Sequence, residues 1–346
     1  MAKEKKEFDI NGLVNKLKKN YGSLRVAADT VEVKEFISTG NKALDLALEG
    51  GINFGSLVEL SGFSQSGKTT IMQIMLANMQ KDYNAVGIWL DRENAFYNNR
   101  SEFLGIDLKR TILFKPLDII TVPQATIALE EVLKNIPDDT YKFIAIDSLA
   151  AFDDTSKSDK SVMGKTAGQF HRLFRRILPF VNDKTIFIFA NQRTFKPNVM
   201  FGDNTTTAGG GESGKYYSHY RIQLDQGKEI KDPKRDNEVV GNWMRAIVEK
   251  TRSGPSRRKI YFQHIFKEGV HYLSGYVRFL VSRNILQPKN KAEFKSFKNE
   301  IILYKDKKLK ESDVNTIIET YPELNYDIYP EYNVEEEKIE EENTSE

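Results

Sequence analysis

Gly62-Phe63-Ser64-Gln65-Ser66-Gly67-Lys68-Thr69 fits the nucleotide-binding pattern G-x-x-x-x-G-K-[ST] and stands where that pattern has to stand. Immediately before it, Leu57-Val58-Glu59-Leu60 reads as a short strand; after it, residues 70–81 carry Ile71, Ile74, Met75, Ala77 and Met79 at helical spacing. A strand, a glycine-rich turn and a helix in that order make a phosphate site. The glycines let the loop bend so that backbone N–H groups wrap the phosphates, and the helix N-terminus adds a partial positive charge. Lys68 is then expected to reach the β- and γ-phosphates and Thr69 to offer its hydroxyl to Mg²⁺. Residues 62–69 predict a site for ATP or GTP.

Three more apolar strands run into polar residues. Phe143-Ile144-Ala145-Ile146 ends in Asp147-Ser148, which places a carboxylate for Mg²⁺ beside the first loop. Ile88-Trp89-Leu90 ends in Asp91-Arg92-Glu93-Asn94. Hydrolysis of a phosphoanhydride needs a carboxylate that orients the attacking water, and the end of a strand beside the loop is within its reach. Glu93 is the expected base, with Asp91 second. Phe187-Ile188-Phe189-Ala190 delivers Asn191-Gln192-Arg193, where Gln192 is placed to sense a γ-phosphate. Residues 194–214 then read as a long loop with Lys196, Val199, Met200, Phe201, Thr205-Thr206-Thr207 and Gly209-Gly210-Gly211. A loop of this length without its own secondary structure is usually functional or disordered. Its cationic, hydroxyl and apolar side chains on a glycine-rich backbone suit a single-stranded nucleic acid.

Composition narrows the class. The chain has 346 residues, no cysteine and a net charge of +2, so it has no disulfide framework, zinc thiolate site or thiol nucleophile. No apolar run approaches the ~18 residues of a membrane span. The charged N-terminus lacks an apolar segment behind it and does not read as a secretory signal, so the expected setting is cytoplasmic. Residues 331–346 carry eight Glu and one Lys, a net of −7, which leaves +9 on residues 1–330. A basic body with an acidic tail points to a polyanionic partner.

Strands are expected at 57–60, 86–90, 111–114, 143–146, 185–190, 220–224, 246–250 and 260–266, with helices at 122–135 and 163–180. This alternation predicts an α/β fold with a mostly parallel central sheet. Residues 8–20 form a short amphipathic helix that must dock on this core or on a neighbour. The expected organisation is an N-terminal oligomerisation helix and linker at 1–33, a core at 34–269, a small basic C-terminal domain at 270–330 and an acidic, disordered tail at 331–346.

Taken in order, these elements resemble the bacterial RecA recombinases. Gly62 to Thr70 resembles their P-loop, Asp91-Arg92-Glu93-Asn94-Ala95 the segment with the catalytic Glu, and Ile146-Asp147-Ser148-Leu149-Ala150-Ala151 the Mg²⁺ strand. Asn191-Gln192-Arg193, Asn198-Val199-Met200-Phe201-Gly202 and Thr205-Thr206-Thr207-Ala208-Gly209-Gly210 resemble the second DNA-binding loop with its allosteric Gln. The resemblance implies that Met163-Gly164 closes a first DNA loop, and that Arg193 and Lys196 belong to the DNA-binding set with the second. Val248-Glu249-Lys250-Thr251-Arg252 is similar to the segment that reaches the nucleotide of the adjacent protomer, in a Lys-x-Arg form closer to phage UvsX-like strand-exchange enzymes. Lys250 and Arg252 are thereby expected to act in trans. Where the family stacks a Tyr on adenine, this chain has Tyr97 and, further on, Arg100, and both are candidate nucleotide contacts. The resemblance implies a RecA-like P-loop ATPase core using ATP and Mg²⁺. It also implies a DNA-dependent ATPase that forms helical filaments on single-stranded DNA and pairs it with homologous double-stranded DNA. A single-strand-binding protein and a loading mediator are the expected accessory partners, with no membrane role. A ring-forming helicase on the same core, or a regulatory ATP-binding protein that assembles without remodelling DNA, is the alternative.

Overall fold

A computed structural model describes residues 8–21, 24, 26–27, 35–152, 162–195, 205–207, 212–252, 254, 256–291, 295, 301–304, 307–310, 314–321 and 324. It divides into two compact units, residues 1–35 and 36–346. The first contains α1 (Ile10–Leu17), whose N-cap Asp9 accepts a hydrogen bond from Gly12 N at 2.8 Å. None of the residues of α1 is buried.

The second unit is built on one large sheet. In chain order its first elements are β1 (Phe36–Ile37), α2 (Lys42–Ala47), β2 (Ile52–Asn53), β3 (Ser56–Gly62), α3 (Lys68–Tyr83), β4 (Val86–Asp91), α4 (Asn98–Phe103) and β5 (Thr111–Phe114). There follow α5 (Val122–Asn135), β6 (Lys142–Asp147), α6 (Val162–Ile177), β7 (Thr185–Phe195), β8 (Thr205–Thr207) and α7 (Glu212–Tyr217). The remaining sheet strands are β9 (Tyr220–Asp232), β10 (Glu238–Lys250), β11 (Arg258–Ile265) and β12 (Gly269–Val270). Their spatial order is β12-β11-β10-β9-β3-β7-β6-β4-β5, and β8 pairs with β7 off that path. From β5 to β9 every ladder is parallel; β10, β11 and β12 continue it antiparallel.

Strands buried on both faces explain the apolar runs seen in the sequence. Along β6, Phe143 and Ala145 join one core cluster with Ile71, Met75 and Met79 of α3, whereas Ile144 and Ile146 join the other with Leu129 of α5 and Phe174 of α6. On β7, Ile186 and Ile188 go to the first, Phe187 and Phe189 to the second. Helix α5 starts where its sequence says it should: Thr121 and Gln124 form a reciprocal capping box, with Pro in the first turn. Beyond the large sheet, α8 (Tyr276–Ser282), a three-stranded antiparallel sheet of β13 (Gln287–Pro288), β14 (Ile301–Tyr304) and β15 (Lys307–Lys310), and α9 (Val314–Thr320) follow. Buried Tyr276, Leu280, Ile302, Ile317 and Leu324 belong to the same cluster as α3.

Two sequence expectations change. The strands expected at 220–224 and 246–250 are the inner ends of a long β9–β10 hairpin, each strand 13 residues long. Its outer half was illegible because the polar stretch Asp225 to Asp232 is largely exposed and lacks an apolar face. The loop expected over 194–214 is also shorter: β7 runs to Phe195, β8 pairs Thr205, Thr206 and Thr207 with Phe195, Thr194 and Arg193, and α7 begins at Glu212.

Candidate functional site

The C-terminal ends of β3, β4, β6 and β7 meet at a cleft of about 410 Å³. Its walls are Ser64 to Thr70, Glu93, Asp147, Gln192, His264 and Phe266. The loop after β3 is shaped by its first and last glycines. A Cβ on Gly62 would lie 2.3 Å from Leu224 O of β9, so no side chain fits there. Gly67 caps α3 with φ +76°, a conformation that glycine adopts without strain. Lys68 folds back over the loop, and its Nζ donates to Gly62 O at 3.2 Å and Phe63 O at 2.8 Å. Burial lowers the Lys68 ammonium below its usual range, and Asp147 and Glu93 oppose that shift. The loop carbonyls thus hold the cation at the place where phosphate oxygens are expected.

Thr69 Oγ1 donates to Asp147 Oδ2 at 2.6 Å, which joins the two residues expected at Mg²⁺. Burial pushes the Asp147 carboxyl up to about 6; Glu93 and Asp91 add to the rise, while the Thr69 hydrogen bond and Lys68 oppose it. Asp147 also holds the neighbouring strand end: its carbonyl accepts from Arg92 N at 2.7 Å and Glu93 N at 3.2 Å. Ser148 Oγ donates to Glu93 Oε1. The carboxylate of Glu93 therefore faces the cleft from a position set by β6.

Asp91 does a different job. It is fully buried and accepts from Ala95 N at 2.8 Å and Phe96 N at 3.1 Å, with Lys115 at 3.6 Å. Its oxygens tie down the turn after β4, so of the two carboxylates only Glu93 lines the cleft. Gln192 is held in register opposite Gly62, the first residue of the phosphate loop.

Other expected residues fall around this centre. Tyr97 is 64% exposed and does not line the cleft, whereas Arg100 donates to Phe266 O and, at 3.4 Å, to Thr70 Oγ1. Arg193, expected among the DNA contacts, is buried: Nη1 donates to Gln223 Oε1 at 2.6 Å and Glu249 Oε1 at 3.1 Å. Its guanidinium ties β7 to β9 and β10. Lys250 and Arg252 lie off the cleft at the end of β10, where Lys250 Nζ donates to Lys215 O at 3.5 Å and Arg252 Nη2 lies 2.6 Å from His219 Nε2. Thr205, Thr206 and Thr207 form β8, and Met163 and Gly164 lie in the first turn of α6. Lys196, Asn198, Val199, Met200, Phe201, Gly202, Gly209 and Gly210 lie outside the described residues.

Sequence reasoning missed His264 and Phe266. A signal for the first was present: along β11 the buried positions are Ile260, Phe262 and His264, so the histidine continues the inward face of an alternating strand. Its Nε2 is buried and, among the described residues, lacks a hydrogen-bond partner.

Among the described residues no helix is long and apolar enough to cross a membrane. Comparison with known proteins agrees with the geometry. The model of the RecA N-terminal domain matches residues 9–271. Protein RecA of Chloroherpeton thalassium is 29% identical over 295 residues, covering 83% of this chain and 80% of the relative. Protein RecA of Bacteroides thetaiotaomicron is 31% identical over 281 residues, 79% of this chain and 82% of its own. The crystal structure of the RadB recombinase superposes with a TM-score of 0.52 at 21% identity, covering 69% of this chain and all of that one, which speaks for the fold alone. With the family model spanning most of the chain and the RecA-like core in place, the chain belongs to the RecA family, whose homology supports a role as an ATPase in recombination and repair.

Proposed function

We propose that the chain is a DNA-dependent ATPase that assembles as a helical filament on single-stranded DNA and promotes homologous pairing and strand exchange. The observation that carries this reading is the convergence of Lys68, Thr69, Glu93, Asp147 and Gln192 on one cleft, with the Gln192 strand continuing into the β7–β8 pairing.

The donor set fits Mg²⁺, because Thr69 Oγ1 and Asp147 Oδ2 are hard oxygen ligands already 2.6 Å apart, and Mg²⁺ takes few protein ligands beside phosphates and water. When bound, Mg²⁺ supplies charge neutralisation on the phosphate oxygens. Lys68 exchanges its loop carbonyls for phosphate oxygens. Glu93, steadied by Ser148 at one oxygen, uses the other to orient water and take its proton. Gln192 donates to the γ-phosphate and reports its presence along β7 toward the DNA loop, formed by Lys196, Asn198 to Gly202, Thr205 to Thr207, Gly209 and Gly210, with Met163-Gly164 closing a first loop. Lys250 and Arg252, which lie off their own cleft, serve the nucleotide of the next protomer, so that ATP holds the filament together. A single-strand-binding protein and a loading mediator are proposed partners in the cytoplasm, and the acidic tail competes with phosphates for the basic body.

Negative-stain electron microscopy with single-stranded DNA and a slowly hydrolysed ATP analogue tests the proposal against the same mixture without nucleotide. Nucleotide-dependent helical filaments along the DNA are expected. Closed rings would favour a helicase, and single particles under both conditions would overturn filament formation.

A further inference from the structure

We propose that His264 is a nucleotide-contact residue, whose cleft-side Nδ1 donates from a neutral imidazole to a non-bridging oxygen of the α- or β-phosphate. The proposal rests on the reading of the cleft as a nucleotide site and adds to it a residue that no phosphate-loop pattern contains. Three observations lead to it.

First, place. His264 is the last inward residue of β11 before its end at Ile265 and lines the cleft with Gly67, Thr70 and Phe266. Its Nδ1 is the nitrogen turned toward the phosphate loop, 3.9 Å from where a Cβ on Gly67 would stand. Backbone N–H groups of such a loop cradle the α- and β-phosphates, so an oxygen bound there comes within reach of Nδ1.

Second, unmet bonding capacity. His264 is 8% exposed, and among the described residues Nε2 has no hydrogen-bond partner. The residues beside it in the ladder are Asn242 and Val270, and the Phe266 ring stands edge-on at 6.0 Å between centroids. Nε2 is thus closed in by the strand and ring around it, which leaves Nδ1 as the ring nitrogen that can meet a ligand in the cleft.

Third, the tautomer. With Nε2 shut away, an N–H there would be an orphan donor, whereas a lone pair there is tolerated at lower cost. The proton of the neutral ring therefore sits on Nδ1. Burial, with Arg100 as the charged group acting on it, lowers the imidazole to about 4 and keeps it neutral at physiological pH. A neutral donor binds phosphate without adding a second cation beside Arg100.

The test compares ADP binding by the full-length protein with His264→Leu and His264→Asn, each checked for an intact thermal transition. The amide nitrogen of Asn takes the place of Nδ1 and Leu has no donor. Leu is expected to weaken ADP binding about ten- to a hundred-fold, the range for a hydrogen bond to a charged acceptor, and Asn to stay within about threefold of the native protein. In the native protein a long-range ¹H–¹⁵N spectrum resolves the four histidines, and His264 is assigned by its absence from the Asn variant. Its Nδ1 resonance should shift on ADP addition with the proton still on Nδ1. Native affinity in the Leu variant, a loss in Asn as large as in Leu, or a proton on Nε2 would overturn the assignment. If the native protein itself does not bind ADP, the nucleotide reading of the cleft falls and this proposal with it, an outcome distinct from binding that ignores His264.

Discussion

Replacing Glu93 by glutamine changes one oxygen to an amide and leaves the shape of the side chain alone. In the structure the residue is held by two contacts, Glu93 N to Asp147 O at 3.2 Å and Ser148 Oγ to Glu93 Oε1. The first is main chain and survives. The second survives too, because the amide oxygen of glutamine still accepts from the serine hydroxyl, so the stability change should stay within about 1 kcal/mol. The variant loses only the capacity to take a proton from water. A positioned general base contributes about 10²–10⁴-fold, or about 2.7–5.4 kcal/mol of barrier. Single-turnover ATP hydrolysis with saturating single-stranded DNA and Mg²⁺ should fall by that factor, while ADP affinity and the thermal midpoint hold. Because Glu93 raises the pKa of Asp147, its neutralisation should also make Asp147 more acidic. Hydrolysis within about threefold of native, in a folded protein that binds ATP, would refute Glu93 as the base.

Asp91→Asn should do the reverse. Asparagine can offer only one oxygen to Ala95 N and Phe96 N, and its NH₂ opposes the other buried N–H; the expected loss is about 2–4 kcal/mol, read as a thermal midpoint lower by several degrees. An unchanged midpoint would remove Asp91 from its structural role. The pH dependence of Mg²⁺ binding follows from Asp147, whose folded pKa is raised to about 6 from 3.8. The folded protein then holds this proton more tightly than the unfolded chain. Its contribution to metal-free stability is full below about pH 4 and lost, to the extent of at most about 3 kcal/mol, as pH rises through 6. Mg²⁺ needs the carboxylate, so stabilisation by Mg²⁺ should be full above pH 6 and fall about tenfold in affinity per unit below it, measured by nucleotide-free thermal melts. Stabilisation that is flat from pH 5 to 7 would count against Asp147 as a ligand.

The strands that carry the cleft were legible because each is buried on both faces and ends abruptly in a polar residue, as Ile146 gives way to Asp147 and Ala190 to Asn191. The choice between Asp91 and Glu93 was only a ranking in the sequence. The structure places the two differently: Asp91 bends its own chain onto itself in a turn, and Glu93 is handed to Ser148 across a ladder. Arg193 was misleading for a similar reason: a cation next to a loop looks available, yet its partner Glu249 is 56 residues away and visible only after β7, β9 and β10 assemble. His264 was hidden by its strand, where an inward histidine reads as one more core position until the helix end opposite is known.

From Thr185 to Phe195, β7 contains neither glycine nor proline, so no residue in it acts as a joint. The strand is a gauge rod roughly 33 Å long at about 3.3 Å per residue, with Gln192 at one mark and the Thr205–Thr207 pairing at the next. A single residue inserted between Gln192 and Arg193 would turn every later side chain to the opposite face, pulling Arg193 off Glu249 and reversing the pairing with β8. Spacing here can change only in even steps, and chain length before the rod ends is a phase as much as a distance.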